Sequence, residues 1–280
     1  VADTWRIMGI LNVTPDSFAD GGRHVDPARA IDAALAMVED GADLIDIGGE
    51  STRPGAAPVD AEEEMRRVIP VIRGIVARSR SGGPVPLSID TYKAEVAHAA
   101  LEAGAALVND VSGLLYDPAL ASIVARQGAG LVLMHTRGRS ASMYAEAIYT
   151  DTLQEVAQEL QRSIDAALAA GVSRDALIVD PGIGFAKRPE HSYAVLTAAD
   201  HPAFLALDCP FLAGPSRKSF LQSAIGERPP DDRVWGTAAA VTGAVLAGAH
   251  LVRVHDVKEM VQVVRVADKI RASRWNSSPP

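Results

Sequence analysis

A chain of 280 residues, 48% hydrophobic and 22% charged, has apolar material for one large core or two small ones and needs no covalent staple. Its single cysteine, Cys209, excludes an intrachain disulfide and a cysteine-rich metal site. A net charge of -8 leaves no cation surplus to neutralise a phosphate backbone, so nucleic acid is not an expected partner. No apolar run reaches the roughly 20 residues of a membrane helix. Pro15, Asp16 and Asp20 interrupt any signal-like segment over residues 1–22, so a cytoplasmic protein is expected, with no membrane partner.

In chain order, short apolar runs alternate with longer helical stretches. The expected strands are Ile7–Leu11, Leu44–Ile47, Leu87–Ile89, Leu107–Val111, Leu131–Met134, Leu177–Val179, Phe211–Ala213 and Leu251–Val254. The expected helices include Pro27–Val38, one capped by Asp60 with the acidic first turn Glu62-Glu63-Glu64, Lys93–Ala103 and Pro118–Arg126. Thr152–Ala170, Pro189–Ala199, Val234–Ala247 and Val257–Ile270 complete the set. Gly41, Gly104, Gly171 and Gly248 each follow a helical stretch and precede a strand, the sign of a helix C-terminus. Eight such units predict an α/β (β/α)8 barrel in one domain over residues 1–280, with residues 275–280 as a frayed tail. A doubly wound sheet is the competitor, but no G-x-G-x-x-G turn follows the first strand.

In a parallel barrel the C-terminal strand ends carry the chemistry. Here those ends read Asn12, Asp46 with Glu50, Asp90, Asn109-Asp110, His135, Asp180, Ser216–Ser219 and Arg253 with His255 and Asp256. Each unit thus places an ionisable or amide residue at the same end, which scattered surface polarity would not do. Asp90, Asn109, Asp180 and Lys218 suit a polar heterocycle: carboxylates accept paired N–H bonds and a lysine donates to a ring carbonyl. Arg53, Arg217, Lys218, Arg253 and His255 gather positive charge and predict an anionic substrate group. By position, the Ser216–Ser219 segment reads as a phosphate loop before a helix N-terminus. No H-E-x-x-H, G-x-S-x-G or Walker motif is present, which removes zinc proteases, serine hydrolases and P-loop enzymes from consideration.

Other polar residues have blander expected roles. Asp26 and Asp117, each followed by proline, read as helix caps. Asp46 reads as structural support near the site, and Asp110 as a site orienter or turn cap. His24, His98, His191, His201 and His250 read as surface or helix residues. Cys209 reads as packing, and Trp5 and Trp235 as core or subunit interface.

Five segments together resemble the dihydropteroate synthase family of pterin-binding enzymes. They are GILNVTPDSF at residues 9–18, GGESTRPG at 48–55, DPGIGF at 180–185, SRKS at 216–219 and RVHD at 253–256. They occur in family order across nearly the whole chain, and the first two are the most specific. The resemblance implies a transferase that joins 6-hydroxymethyl-7,8-dihydropterin pyrophosphate to p-aminobenzoate, releasing pyrophosphate, and that sulfonamides inhibit. It implies pterin contacts from Asp90, Asn109, Met134, Asp180 and Lys218, and pyrophosphate contacts from Asn12, Arg253 and His255. Mg2+ would be coordinated through Asn12. Thr52, Arg53, Pro54, Gly184, Phe185, Ser216 and Lys218 would frame the p-aminobenzoate site, and the residue 12–22 loop would close over the leaving group. The catalytic set so implied is Asn12, Asp90, Lys218, Arg253 and His255, in a homodimer. The resemblance also moves the Ser216–Ser219 loop from phosphate to the pterin and the amine. Two alternatives stay open: a methyltetrahydrofolate-dependent corrinoid methyltransferase, and a non-catalytic pterin-binding relative.

Overall fold

The computed structural model describes residues 5–14, 26–51, 57–79, 85–139 and 143–275. Eight parallel strands run β1 Arg6–Asn12, β2 Leu44–Gly48, β3 Leu87–Asp90, β4 Leu107–Asp110, β5 Gly130–Met134, β6 Leu177–Asp180, β7 Leu212–Ala213 and β8 Leu251–Val254. Their order in the sheet is β6-β5-β4-β3-β2-β1-β8-β7. A parallel bridge between Val179 and Phe211 joins the two outer strands, so the sheet closes into the expected barrel.

Each strand faces two ways. Outward residues such as Ile45, Ile47, Ile89, Leu131 and Val252 pack under the helices in the main core. Those helices present matching stripes: in Ala61–Arg78, Val68, Val71, Ile72 and Ile75 are buried at helical spacing. Inward residues Met8, Leu44, Leu107, Val132, Leu212 and Leu251 form a separate small cluster that plugs the barrel.

The helix starts follow their sequence signals. Asp60 accepts from Glu63 N (2.8 Å) and Asp26 from Ala28 N (2.9 Å). Asp117 accepts from Ala119 N (3.1 Å) and also from Ala94 N (2.9 Å), so one carboxylate serves two neighbouring helices. The four glycines expected at helix ends, Gly41, Gly104, Gly171 and Gly248, all have positive φ.

Two elements differ from the sequence reading. β7 keeps only Leu212–Ala213 in the ladder, because the Phe211 N–H donates to His250 Nδ1 (3.1 Å) and not to a neighbouring strand. The helix expected over Pro189–Ala199 ends at Leu196, and a separate short helix runs Pro202–Leu205. His201 is extended there (φ -71, ψ 136), as the residue before a proline prefers. Among the described residues no helix is long and apolar enough to cross a membrane.

Candidate active site

The barrel plug places the site. Side chains alternate along a strand, so a residue two positions beyond an inward one also faces in. Stepping two residues on from Leu44, Leu107, Val132, Ile178, Leu212 and Leu251 reaches Asp46, Asn109, Met134, Asp180, Gly214 and Arg253. Ser88 sits in register with Asp46, and Asp90 beyond it in register with Gly48. Asn12 ends β1 opposite Gly48. An apolar floor therefore carries a ring of polar groups, at the end where the βα loops begin.

These groups bond to one another across the barrel. Asp46 is fully buried, and its Oδ2 accepts from Asn109 Nδ2 (2.9 Å) and Arg253 Nε (2.6 Å). Arg253 Nη2 donates to Asp90 Oδ2 (2.6 Å). One guanidinium thus spans β8, β2 and β3. Asp46 is therefore part of the site's framework, as its expected supporting role allowed. Asp46 Oδ1 and Ser88 Oγ are buried with no hydrogen-bond partner.

On the opposite side, Asp180 Oδ1 accepts from Gly182 N (2.7 Å) and starts a tight loop. Lys218 Nζ donates to the Ile183 carbonyl and lies 4.6 Å from the centre of the Phe185 ring. A side chain starting at Gly214 would lie 3.8 Å from Asp180 Oδ2, 3.8 Å from Arg253 Cβ and 4.0 Å from Lys218 Nζ. Gly214 therefore leaves open the space on which the three converge. Sequence reading passed over it, although it is two residues beyond Leu212 and its parity matches Asp180.

Burial sets the charge behaviour. It pushes Asp90 up to about 7 against the pull of Arg253, with Asp46 adding repulsion. It raises Asp180, which Lys218 opposes, and pushes Lys218 down to about 8, which Asp180 opposes. Burial alone would lower Arg253; the carboxylates of Asp46 and Asp90 outweigh it and keep the guanidinium charged. Perturbed acids and bases lining one concavity are the mark of a working site.

The remaining expected residues fall as follows. Met134 is buried at the end of β5. Ser216 Oγ accepts from His255 N (3.1 Å) and meets His255 Nδ1 (3.0 Å), which links the loops after β7 and β8. Arg217 pairs with Asp256 and Asp231, so it does not join the positive cluster expected of it. Asp110 caps its own turn, accepting from Ser112 N (2.8 Å) and Leu114 N (2.6 Å). Ser216–Ser219 leads into a single 3-10 turn, Ser219–Leu221, and a four-residue helix rather than a long one. Thr52, Arg53 and Pro54, with the Pro15–Gly22 part of the first loop, lie outside the described residues.

Residues 8–255 match the family model described as pterin binding enzyme. The chain belongs to the pterin-binding enzyme family. Within it, the chain is 49% identical over 269 residues to the folic acid synthesis protein fol1 of Schizosaccharomyces pombe, covering 94% of this chain and 36% of that one. It is 45% identical over 264 residues to dihydropteroate synthase of Synechocystis, covering 94% and 89%. The fold matches dihydropteroate synthase of Xanthomonas albilineans, solved with 4-aminobenzoic acid, at a TM-score of 0.86 and 42% identity over 99% and 95% of the two chains. It also matches that of Yersinia pestis in a sulfonamide drug complex, at a TM-score of 0.88 and 39% identity over 97% and 96%. This pterin-binding enzyme is thus placed among the dihydropteroate synthases, which are transferases. The chain spans about a third of the S. pombe relative and most of the others.

Proposed function

We propose that this chain condenses 6-hydroxymethyl-7,8-dihydropterin pyrophosphate with p-aminobenzoate, giving dihydropteroate and pyrophosphate. The observation that carries this is the meeting of Asp90, Asn109, Asp180 and Lys218 at a buried barrel mouth. Two carboxylates facing one space accept the N–H edge of a pterin, and a lysine at its rim donates to the ring carbonyl. Burial favours this use: a desolvated carboxylate gains more from each added donor than an exposed one does.

The chemistry follows from the charges. Departure of pyrophosphate leaves a methylene cation delocalised into the pterin. The carboxylates of Asp90 and Asp180 are fixed in a low-dielectric site before the reaction begins, and in their ionised form they favour that cation. Arg253, fixed by Asp46 and Asp90, and His255, tied to Ser216, stand at β8 where the leaving anion would be drawn off. The aniline nitrogen then attacks; it is a weak nucleophile, so a preformed cation helps it. No activated serine or cysteine is needed. Gly184, Phe185, Ser216 and Lys218, with Thr52, Arg53 and Pro54, would frame the aromatic amine.

Magnesium belongs to the same reading. Among the described residues no group of three His, Cys, Asp or Glu side chains could hold an ion. The Asn12 amide offers one neutral oxygen at the end of β1. A lone hard donor of this kind fits Mg2+, which keeps most of its waters and travels with phosphate. When bound, it would help to neutralise the leaving pyrophosphate.

Pyrophosphate release, measured with and without p-aminobenzoate, tests the function. Release that depends on both substrates is expected; no release under either condition would overturn it. Methyl transfer to a corrinoid protein is the discriminating assay for the alternative enzyme. A homodimer is part of the proposal, and sedimentation tests it.

A further inference from the structure

The loop after β6 begins a buried hydrogen-bonded chain that the reaction above does not use. Lys187 is the bulkiest fully buried side chain among the described residues, 2% exposed. Its Nζ meets His135 Nδ1 at 2.7 Å and donates to the Phe185 carbonyl at 3.1 Å. His135 Nε2 meets Glu159 Oε2 at 2.8 Å. The polarity of this chain is settled by its members. The Lys187 amine donates to the imidazole and the imidazole N–H donates to the carboxylate, since burial pushes His135 down to about 4 and keeps it neutral. Arg137 pairs with both Glu155 and Glu159 and closes the network, while burial pushes the Lys187 amine well below its usual range.

The same loop is gripped at other points. Tyr149 OH donates to the Ala186 carbonyl (2.9 Å), and Gly184 N donates to Ser192 Oγ (3.2 Å). Ala186 has φ +48, a left-handed conformation that persists only where surroundings over-determine it. Packing alone does not explain a lysine here, because an apolar side chain of similar length would fill the space without burying a polar amine. Lys187 Nζ supplies a donor to the Phe185 carbonyl, and Phe185 is the ring that lies beside Lys218.

We propose that Lys187 is a positioning residue: bonded to the Phe185 carbonyl and backed by His135 and Glu159, it fixes the Gly184–Phe185 wall against which the p-aminobenzoate ring packs. The proposal rests on the synthase reading, and it adds a residue that touches neither substrate yet governs the affinity for one of them.

The test is steady-state pyrophosphate release, with each substrate varied in turn, for the wild-type chain, Lys187→Met and Tyr149→Phe, alongside thermal unfolding. For Lys187→Met, KM for p-aminobenzoate should rise about tenfold or more while KM for the pterin pyrophosphate stays within about twofold. Its thermal midpoint should fall, since the Phe185 carbonyl loses a donor, so the selectivity of the KM change and not stability is the deciding readout. Unchanged KM values, or both rising together, would overturn the proposal and leave the synthase reading intact. A wild-type chain that releases no pyrophosphate overturns both. Should Lys187→Met fail to fold, Tyr149→Phe decides: it loses one hydrogen bond to the same loop, and a selective rise in KM for p-aminobenzoate is expected. No rise there would count against the loop as a determinant of amine binding.

Discussion

Arg253 Nε donates to Asp46 Oδ2 at 2.6 Å, joining residues 207 positions apart in the chain, and the carboxylate it meets is fully buried. The same oxygen accepts from Asn109. Asp46 therefore organises a site that it was expected only to support.

Asp46→Ala should leave a half-buried guanidinium and a buried amide short of an acceptor. Removing one partner of a buried pair costs about 3–5 kcal/mol, so denaturant unfolding should show a loss of that order. Activity should fall with it, since Arg253 and Asn109 both lose their anchor. A variant as stable and active as the wild type would show that the pairing carries neither role.

Lys218→Ala should nearly abolish turnover. Lys218 binds the Ile183 carbonyl, stands beside Phe185 and faces Asp180, so one truncation removes a ring contact and a loop contact. A loss of about 100-fold or more in kcat/KM is expected. Near-normal kcat/KM would sink its assignment to the pterin.

His135 gives stability a pH dependence whose sign can be worked out. Burial first, and then the charge of Lys187, push its pKa down to about 4 from 6.5. Between those values the unfolded chain binds the proton and the folded chain does not, so this contribution is lost as pH falls from 6.5 to about 4. Asp90 has the opposite slope: raised from 3.8 to about 7, it favours the folded state least once pH exceeds about 7. The difference between wild type and His135→Asn isolates the histidine. Unfolding free energies measured from pH 4 to 7 should show the wild type losing more stability on acidification than the variant. Parallel curves would contradict a buried neutral imidazole.

Gly182→Ala should be strongly destabilising. Gly182 has φ +70, and a Cβ there would lie 1.9 Å from the His135 carbonyl oxygen, so backbone would have to move. Gly128 has φ +62 with nothing within 4 Å of that point. Gly128→Ala should cost roughly 1–2 kcal/mol from conformation alone, and Gly182→Ala clearly more. Equal losses in the two variants would remove the steric argument.

Sulfamethoxazole should compete with p-aminobenzoate and not with the pterin pyrophosphate. Initial-rate inhibition patterns check this directly. Inhibition that p-aminobenzoate does not relieve would place the drug elsewhere.

Much of this was legible in the sequence. The strand runs, the glycines after helices and the aspartates before them are local signals, and the barrel follows from their alternation. Asp90, Asn109, Asp180 and Arg253 could be picked out because each ends an apolar run. The reading failed where partners decide. Arg217 looks like an anion ligand until Asp231 and Asp256 are seen beside it. Lys187 stands in no motif that singles it out, and only the structure shows it buried against His135. Gly214 has no side chain to signal its role.

The sequence by itself determined the period of each element, and with it which residue of each strand faces inward, because backbone geometry makes side chains alternate. Only the tertiary structure decided which inward groups meet. Asp46, Asp90 and Arg253 come from three strands, and it is barrel closure, through the Val179–Phe211 bridge, that seals off a low-dielectric interior where their charges act on one another. Distance in space and exclusion of water set those energies, and neither is written locally in the chain.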